Sequence, residues 1–172
     1  MTIGPSIRPI RPDEWSQYRD LRLRALADSP DAFGSTLAKE RGRPDTEWLS
    51  RLESAADIRW NLPLFAESGN EPVGLAWDRI ERSSPDVANL YQMWVAPHYR
   101  GRGIGQMLLE AVIAWARQAG VEQLALGVTL GETPAMSLYS RAGFVPSGRP
   151  QSLCEGSDLL RQAMVFTLND GG

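Results

Sequence analysis

At residues 100–105 the chain reads Arg-Gly-Arg-Gly-Ile-Gly, and this run separates two segments with different hydrophobic patterns. The segment before it, 89–95, reads Asn-Leu-Tyr-Gln-Met-Trp-Val and favours a strand. The segment after it repeats apolar residues at the i, i+3, i+4 spacing of one buried helix face, at Ile104, Met107, Leu108, Ala111, Val112 and Trp115. The sequence therefore predicts a strand, a glycine loop and a helix in series.

A glycine loop between a strand and a helix is a typical phosphate-binding element. The first N–H groups of a helix have no partner within the helix and lie at the positive end of its dipole, so they bind anions. Gly101 and Gly103 allow the backbone to approach phosphate oxygens closely, and Arg100 and Arg102 add positive charge. We therefore predict an anion site at this loop.

Two other nucleotide-binding loops fit the run poorly. A Walker P-loop needs a Gly-Lys-Ser/Thr sequence, which does not follow here. A dinucleotide-binding turn needs a third glycine where Gln106 stands, and an acidic residue at the end of the next strand. Glu122 stands at the start of that strand instead. On the loop alone, a surface loop in another α/β protein stays open as the alternative.

A second motif follows at residues 135–144, Ala-Met-Ser-Leu-Tyr-Ser-Arg-Ala-Gly-Phe. It predicts a short helix that begins after a capping Glu132 or Thr133 and stops at Gly143. A strand-like segment, 123–129, lies between the two motifs. Two independent motifs in this order are much more specific than either one alone.

Taken together, the two motifs resemble the signatures of the GCN5-related N-acetyltransferases (GNAT superfamily), which bind acetyl-coenzyme A. The loop matches Arg-x-x-Gly-x-Gly after a strand that ends Val-Ala-Pro, and the second motif is similar to N-x-x-A-x-x-L-Y-x-x-x-G-F. The resemblance is strong over residues 85–148 and elsewhere rests on the order of elements. It implies an α/β fold with a central, mostly antiparallel mixed sheet flanked by helices, in a single N-acetyltransferase domain over residues 1–172.

The hydrophobic pattern predicts the other elements, and with them the order β-α-α-β-β-β-α-β-α-β-β. Helices are predicted at 13–27 and 45–54, and strands at 7–10, 62–67, 72–81 and 162–168. A segment rich in glycine, proline and serine, 146–158, leads into the last strand.

Composition excludes several classes of protein. A length of 172 residues with 42% apolar content is enough for one hydrophobic core. The net charge is -3, so we expect no general attraction to nucleic acid or to a membrane surface. The chain has no apolar run of transmembrane length and its N-terminus does not resemble a signal peptide. One cysteine, Cys154, fits a reducing compartment, so we expect a cytoplasmic protein.

The resemblance implies a cofactor site for acetyl-coenzyme A around the loop. Pantetheine would pair with the strand backbone at Met93, Trp94 and Val95, where an amide would polarise the thioester carbonyl. Pyrophosphate would lie on the loop and first helical turn, formed by Arg100, Gly101, Arg102, Gly103, Ile104, Gly105 and Gln106. Tyr139 matches the tyrosine that protonates the leaving thiolate, with a core tyrosine as the alternative. No metal is predicted.

The chain departs from the family pattern at three positions. Glu132, which we also place at the cofactor site, stands where the second signature begins with Asn. Asn89 and Gly127 stand where relatives carry a glutamate that acts as the base. Because neither residue takes up a proton, we predict a water relay that Asn89 orients. His98, the only histidine, is predicted to face solvent beside the loop.

The acceptor is predicted to be the primary amine of a small molecule, and the chain looks like a bacterial member of the family. Glu40 is predicted to be a surface carboxylate, with binding of a cationic amine as the alternative, and Arg22 to lie on a solvated helix face. Two other functions stay open, a protein N-terminal or lysine acetyltransferase and a non-catalytic acetyl-coenzyme A sensor. The oligomeric state is left open between a monomer and a homodimer.

Overall fold

Eight strands form one sheet in the computed structural model, which describes residues 4–131 and 133–168. They are β1 Ser6–Pro9, β2 Asn61–Ser68, β3 Glu71–Ile80, β4 Val87–Val95, β5 Gln123–Thr129, β6 Val145–Pro146, β7 Gln151–Ser152 and β8 Leu160–Thr167. Their order across the sheet is β1-β2-β3-β4-β5-β8-β6, and β7 also pairs with β8. Only β4 and β5 are parallel. The predicted fold class, a mixed and mostly antiparallel sheet, is confirmed.

Helices flank this sheet on both sides. The α-helices of the described residues are α1 Trp15–Asp28, α2 Leu37–Arg41, α3 Asp45–Ser54, α4 Ile104–Ala119 and α5 Pro134–Ala142. Short 3₁₀ turns lie at Pro12–Glu14, Pro30–Ala32 and Pro97–Tyr99. Throughout the part of the chain that the structure describes, no helix combines the length and the hydrophobicity needed to cross a membrane.

The sheet buries a hydrophobic layer on each face. One layer is formed with α1 and α3 and includes the fully buried Tyr18, Trp48 and Leu52. The other is formed with α4 and α5 and includes Leu108 and Val112, which are 0% exposed. We call the two sides of the sheet the α1 face and the α4 face. Because successive strand residues point to opposite faces, β2, β3 and β4 contribute to both layers.

Helix α2 and strand β7 are absent from the sequence prediction. Helix α2 has five residues, too few to show a helical repeat, and it begins where the hydroxyl of Thr36 accepts a hydrogen bond from the Lys39 amide (3.2 Å). Strand β7 has two residues and exists only because it pairs with β8. By contrast, the predicted segments 45–54 and 123–129 coincide with α3 and β5.

Two charged residues predicted at the surface are buried, so both predictions are wrong. Arg22 in α1 is 5% exposed, and its guanidinium lies 4.5 Å from the centre of the Phe33 ring. Glu40 in α2 is 4% exposed and forms ion pairs with Arg43 (2.6 Å) and Arg51 (3.3 Å). The connection from α1 to α3 folds back against α1 and removes both side chains from water, which local sequence does not reveal.

Asp78 in β3 is a fully buried carboxyl group on the α4 face. Its same-face neighbours in the strand, Ala76 and Ile80, belong to the core under α4. The Arg79 amide donates to Oδ1 of Asp78 (3.0 Å), whereas Oδ2 has no partner among the described residues. Burial disfavours the charged form and raises the pKa of Asp78 to about 8.

Asp78 is expected to make the protein less stable as the pH rises. In the unfolded chain this carboxyl loses its proton near pH 4, whereas in the folded protein it keeps the proton up to about pH 8. Folding therefore takes up a proton between these pH values, and the free energy of unfolding decreases by up to about 1.4 kcal/mol per pH unit. Below about pH 4 both states are protonated and the effect disappears.

The substitution Asp78→Asn tests this expectation because it keeps the shape of the side chain without ionising. The variant should be more stable than the wild type at pH 8, and the difference should shrink towards pH 4. Urea titrations at pH 4, 6 and 8 measure it, with the exposed Asp86→Asn as the matched control. A stability difference that is constant across these pH values would contradict the assignment.

Candidate active site

The parallel strands β4 and β5 pair over only part of their length. Their register joins Val87–Leu90 to Gln123–Leu126 and stops there. Beyond this point, Tyr91, Trp94 and Val95 of β4 pair with β3 alone, and residues 127–129 of β5 pair with β8 alone. The two strands therefore part and leave a slot, whose β4 side presents unpaired backbone groups. An unpaired strand edge is a binding surface for an extended, amide-containing ligand.

The β4 side of the slot is shaped by a β-bulge at Gln92. This residue has a φ of 60°, the only positive φ among described residues other than glycine, and the register with β3 shifts beside it. The Tyr18 hydroxyl of α1 donates to the Gln92 side-chain oxygen (2.5 Å). A bulge bends the strand and redirects its backbone groups. Sequence reasoning missed both residues, because glutamine gives no sequence signal for a positive φ.

Val95 ends β4 with its backbone groups turned towards the slot. The next amide, that of Ala96, donates to the Val73 carbonyl of β3 (2.7 Å), so the N–H and C=O of Val95 point the other way. The Val95 carbonyl accepts a hydrogen bond from Nε of Arg100 (2.9 Å). Its amide is thus oriented like the carbonyl-polarising donor that the family resemblance implies at residue 95 or its neighbour.

The predicted glycine loop joins β4 to α4 and has the conformation that glycine favours. Gly101 and Gly103 have φ of 76° and 81°, and a Cβ at either position would meet nothing within 4 Å. The first helical hydrogen bond runs from Met107 to the Gly103 carbonyl (3.0 Å). Gly103 forms no side-chain cap and the first turn contains no acid. The amides of the first turn, residues 104–106, are therefore directed into open space, as an anion site requires.

The two arginines of the loop have different surroundings. Arg100 bonds Asp28 at the end of α1 (2.6 Å), and the same Asp28 oxygen accepts from the indole of Trp94 (3.1 Å). These hydrogen bonds, with that from the Ser29 hydroxyl first among them, lower the pKa of Asp28 to about 2. Arg100 therefore ties the end of β4 to α1. Arg102 is exposed and lies over the Tyr99 ring at 5.3 Å, so its charge remains beside the loop.

Helix α5 brings Tyr139 to the same end of the sheet. A Cβ at Gly105 would lie 3.3 Å from a Leu138 methyl group and 4.0 Å from Val95, so the start of α4, the end of β4 and α5 meet here. Tyr139 is 5% exposed, and its ring packs against Phe144 at 5.8 Å. Burial raises the pKa of the Tyr139 hydroxyl above its ordinary value. The phenol therefore stays protonated, the form a proton donor needs.

Asn89 and Gly127, which stand where relatives carry a glutamate, lie on the α1 face. Asn89 is paired with Arg79 of β3 and Ala125 of β5, and is half-buried. A Cβ at Gly127 would collide with the guanidinium of Arg161 from β8. The place of the missing side chain is therefore taken by a cation from another strand. Sequence reasoning missed Arg161 because nothing in its local pattern points to Gly127.

Other predicted residues lie apart from the slot or outside the described residues. His98 is exposed in the turn Pro97–Tyr99, which confirms the prediction that it faces solvent. Glu132 falls outside the described residues. The cap of α5 comes from Thr133, whose hydroxyl accepts from the Met136 amide (3.1 Å). Over residues 4–131 and 133–168, no three His, Cys, Asp or Glu side chains are grouped as metal ligands.

The slot is covered on the α1 face by the segment that follows α1. The Thr129 hydroxyl at the end of β5 donates to the backbone carbonyl of Asp31 (2.6 Å). A Cβ at Gly34 would lie 3.5 Å from the Leu153 carbonyl, in the connection from β7 to β8. We call residues 29–36 the covering segment. Together with this connection it walls the side of the slot where an acceptor would enter.

These features correspond to a known family of enzymes. A family model described as the acetyltransferase (GNAT) family matches residues 10–144. Because this match covers most of the chain, the protein belongs to the GNAT acetyltransferase family. The match includes the strand, the glycine loop, α4 and the second motif.

Two curated relatives are similar in sequence. An aminoglycoside N(6')-acetyltransferase type 1 from Stenotrophomonas maltophilia is 30% identical over 153 residues, which cover 85% of this chain and 90% of the relative. A mycothiol acetyltransferase from Corynebacterium glutamicum is 31% identical over 105 residues, which cover 61% of this chain and 35% of the relative. This chain therefore spans only part of the length of the mycothiol acetyltransferase that it matches.

A solved structure supports the fold. A putative acetyltransferase from Salmonella typhimurium, determined with its cofactor acetyl-coenzyme A, superposes with a TM-score of 0.80. The match covers 99% of this chain and 97% of that one at 18% sequence identity. At this sequence identity the similarity shows a common fold. It does not identify the substrate of this protein.

Proposed function

We propose that this protein is an N-acetyltransferase that uses acetyl-coenzyme A to acetylate the primary amine of a small molecule, by direct attack within a ternary complex. The observation that carries the proposal is the unpaired edge of β4 leading directly into an uncapped helix N-terminus. Both parts are needed to hold an extended amide chain joined to a pyrophosphate. The names of the relatives from Stenotrophomonas maltophilia and Corynebacterium glutamicum support acetyl transfer.

The residues around the slot fit coenzyme A in three respects. No β5 residue pairs with Met93, Trp94 or Val95, and the backbone groups on this side, apart from the Val95 carbonyl bonded by Arg100, would pair with the pantetheine amides. The amides of residues 101–106 would hold the pyrophosphate. Arg102 would add positive charge beside the pyrophosphate. Arg100 instead holds the end of β4 in place, because its guanidinium is bonded to the Val95 carbonyl and to Asp28.

Acetyl-coenzyme A supplies an activated thioester when it is bound. The Val95 amide, directed into the slot, would stabilise negative charge on the carbonyl oxygen. Tyr139 is protonated and would donate its proton to the leaving thiolate. Asn89 would orient a water that accepts the amine proton. The positions of the family's glutamates hold Asn89 and the Arg161 guanidinium, so no strong base is proposed.

A coenzyme A-binding domain without turnover is the competing proposal, and the absence of a carboxylate at residues 89 and 127 favours it. The buried, protonated Tyr139 of α5, the helix whose Leu138 contacts the start of α4, favours catalysis. Acetylation of a protein N-terminus or lysine is a third candidate, but the covering segment restricts access to the slot. The single cysteine also leads us to propose a cytoplasmic protein. The bacterial relatives support the proposal that it is of bacterial type.

Thiol release from acetyl-coenzyme A, measured with a panel of small primary amines, tests the proposal. We expect release above the amine-free rate for at least one class of amine, together with calorimetric binding of acetyl-coenzyme A. Binding without release for every amine would support the sensor. Release with peptide amines alone would support the protein acetyltransferase. Absence of binding would contradict the cofactor site itself.

A further inference from the structure

The guanidinium of Arg161 occupies the point where β4 and β5 part. Arg161 pairs with Thr129 of β5, and the Thr129 hydroxyl contacts the covering segment, so both side chains lie on the α1 face. The guanidinium lies where a side chain at Gly127 would stand. Gly127 directly follows Leu126, the last β5 residue that pairs with β4. A positive charge therefore stands at the acceptor side of the slot.

Unlike Arg79 and Arg100, Arg161 has no acidic partner among the described residues. It is exposed, and among the described residues it forms no hydrogen bond or ion pair. Three acids near the α1 face form ion pairs with arginines: Asp28 with Arg100, Glu40 with Arg43 and Arg51, and Glu81 with Arg79. Asp31 faces β5 with its backbone carbonyl, and the residue is exposed.

A second unpaired cation lies under the covering segment. Arg22 is 5% exposed, and its Nε and Nη1 have no partner among the described residues. It lies one helical turn after Tyr18, the residue whose hydroxyl contacts Gln92 of β4. Its guanidinium also lies over the ring of Phe33, within the covering segment. Two arginines without partners thus flank this segment, one from α1 and one from β8.

We infer that the acceptor carries a carboxylate as well as its amine, and that Arg161 binds this carboxylate; the inference rests on the proposed function. A guanidinium is the side chain best suited to a carboxylate, because its planar N–H groups match the two oxygens. Because the two arginines beside the covering segment have no acidic partner among the described residues, this end of the α1 face attracts an anion. The substrate class is therefore an amino acid or a similar amino-carboxylate.

The experiment compares amino acids with matched amines that lack the charge. Thiol release is measured for the common amino acids, their amides and their decarboxylated amines, with wild type, Arg161→Met, Arg161→Lys and Arg161→Glu. Arg141→Met serves as the control, since Arg141 is exposed on α5 at the α4 face. The readout is the ratio of kcat/KM for an acid to that for its amide. Comparing this ratio between variants removes the intrinsic reactivity of each amine.

We expect the best amino acid to exceed its amide, and Arg161→Met to reduce this ratio by about 10- to 100-fold, mainly through KM. Arg161→Lys should retain part of the preference, Arg161→Glu should reverse it, and Arg141→Met should leave it unchanged. Equal losses for acids and amides in Arg161→Met would overturn the inference. So would a wild-type preference for amides, diamines or amino-phosphates.

A calorimetric titration separates this inference from the proposed function. Amino acids are titrated into the complex of the protein with coenzyme A, for wild type and Arg161→Met, without any turnover. Binding that Arg161→Met weakens supports the carboxylate site even if no thiol release is observed. Active turnover of neutral amines, with no binding of any amino acid, refutes the carboxylate site and leaves the acetyltransferase proposal standing.

Discussion

Replacing Tyr139 with phenylalanine is expected to lower kcat by about 10²- to 10⁴-fold, the usual contribution of a positioned proton donor. The KM for acetyl-coenzyme A should change little, because in the proposed mechanism the hydroxyl acts on the departing thiolate and backbone amides hold the cofactor. Phenylalanine keeps the ring packing against Phe144, so the fold should be retained. Steady-state thiol release measures both constants.

The matched control is Tyr99→Phe. It removes a hydroxyl that, among the described residues, forms one hydrogen bond, to Glu71 (3.4 Å). This variant should keep its activity. The pH profile adds a second readout, since burial keeps Tyr139 protonated beyond the ordinary range of a phenol. The rate should then rise towards the pKa of the acceptor amine without a break near neutrality. Full activity in Tyr139→Phe would mean that the tyrosine only packs the core.

Replacing Gly103 with valine is expected to weaken acetyl-coenzyme A binding by about 100-fold or more, since several charged hydrogen bonds to the phosphates would be lost together. A β-branched residue is strained at a φ of 81°, so the amides of the first α4 turn would be displaced. The new side chain would also enter the open space above the loop. Calorimetry measures the affinity, and circular dichroism checks that the variant is folded.

Gly69→Val provides the control for backbone strain. Gly69 also has a positive φ (64°) and open space around it, but it lies in the turn between β2 and β3. It should lose stability and keep its affinity. Arg102→Ala provides the comparison for side-chain charge and should weaken binding by only about 10- to 100-fold. Complete loss in Arg102→Ala, with normal binding in Gly103→Val, would show that charge rather than backbone amides holds the cofactor.

Local sequence was sufficient for the elements that depend on local interactions. The segments 45–54 and 123–129 were predicted with the bounds of α3 and β5, because each has a clear repeat and recognisable ends. The loop conformation was also predictable, since Gly101 and Gly103 are the residues that favour a positive φ. The catalytic role of Tyr139 remains a prediction, which rests on its fixed place in the family motif.

The corrections concern residues whose partners lie far away along the chain. Arg22 and Glu40 are predicted to face water. Instead, Arg22 lies under Phe33 of the covering segment, and Glu40 is buried in α2 beside Arg43 and Arg51. The bulge at Gln92 is joined to Tyr18, 74 residues earlier in the chain. No window of sequence contains both members of such a pair. The burial of a charge or the bending of a strand is therefore set by tertiary packing.

The sequence by itself predicts the individual elements and the glycine loop, because hydrophobic periodicity and glycine at positive φ are properties of short segments. The fold class follows from the resemblance of the two motifs to the GNAT family. The tertiary structure alone decided the character of the acceptor side. It placed the guanidinium of Arg161 against Gly127 and paired Asp28 and Glu40 with arginines. Charge at a site depends on which side chains meet across the sheet, and only the folded chain brings them together.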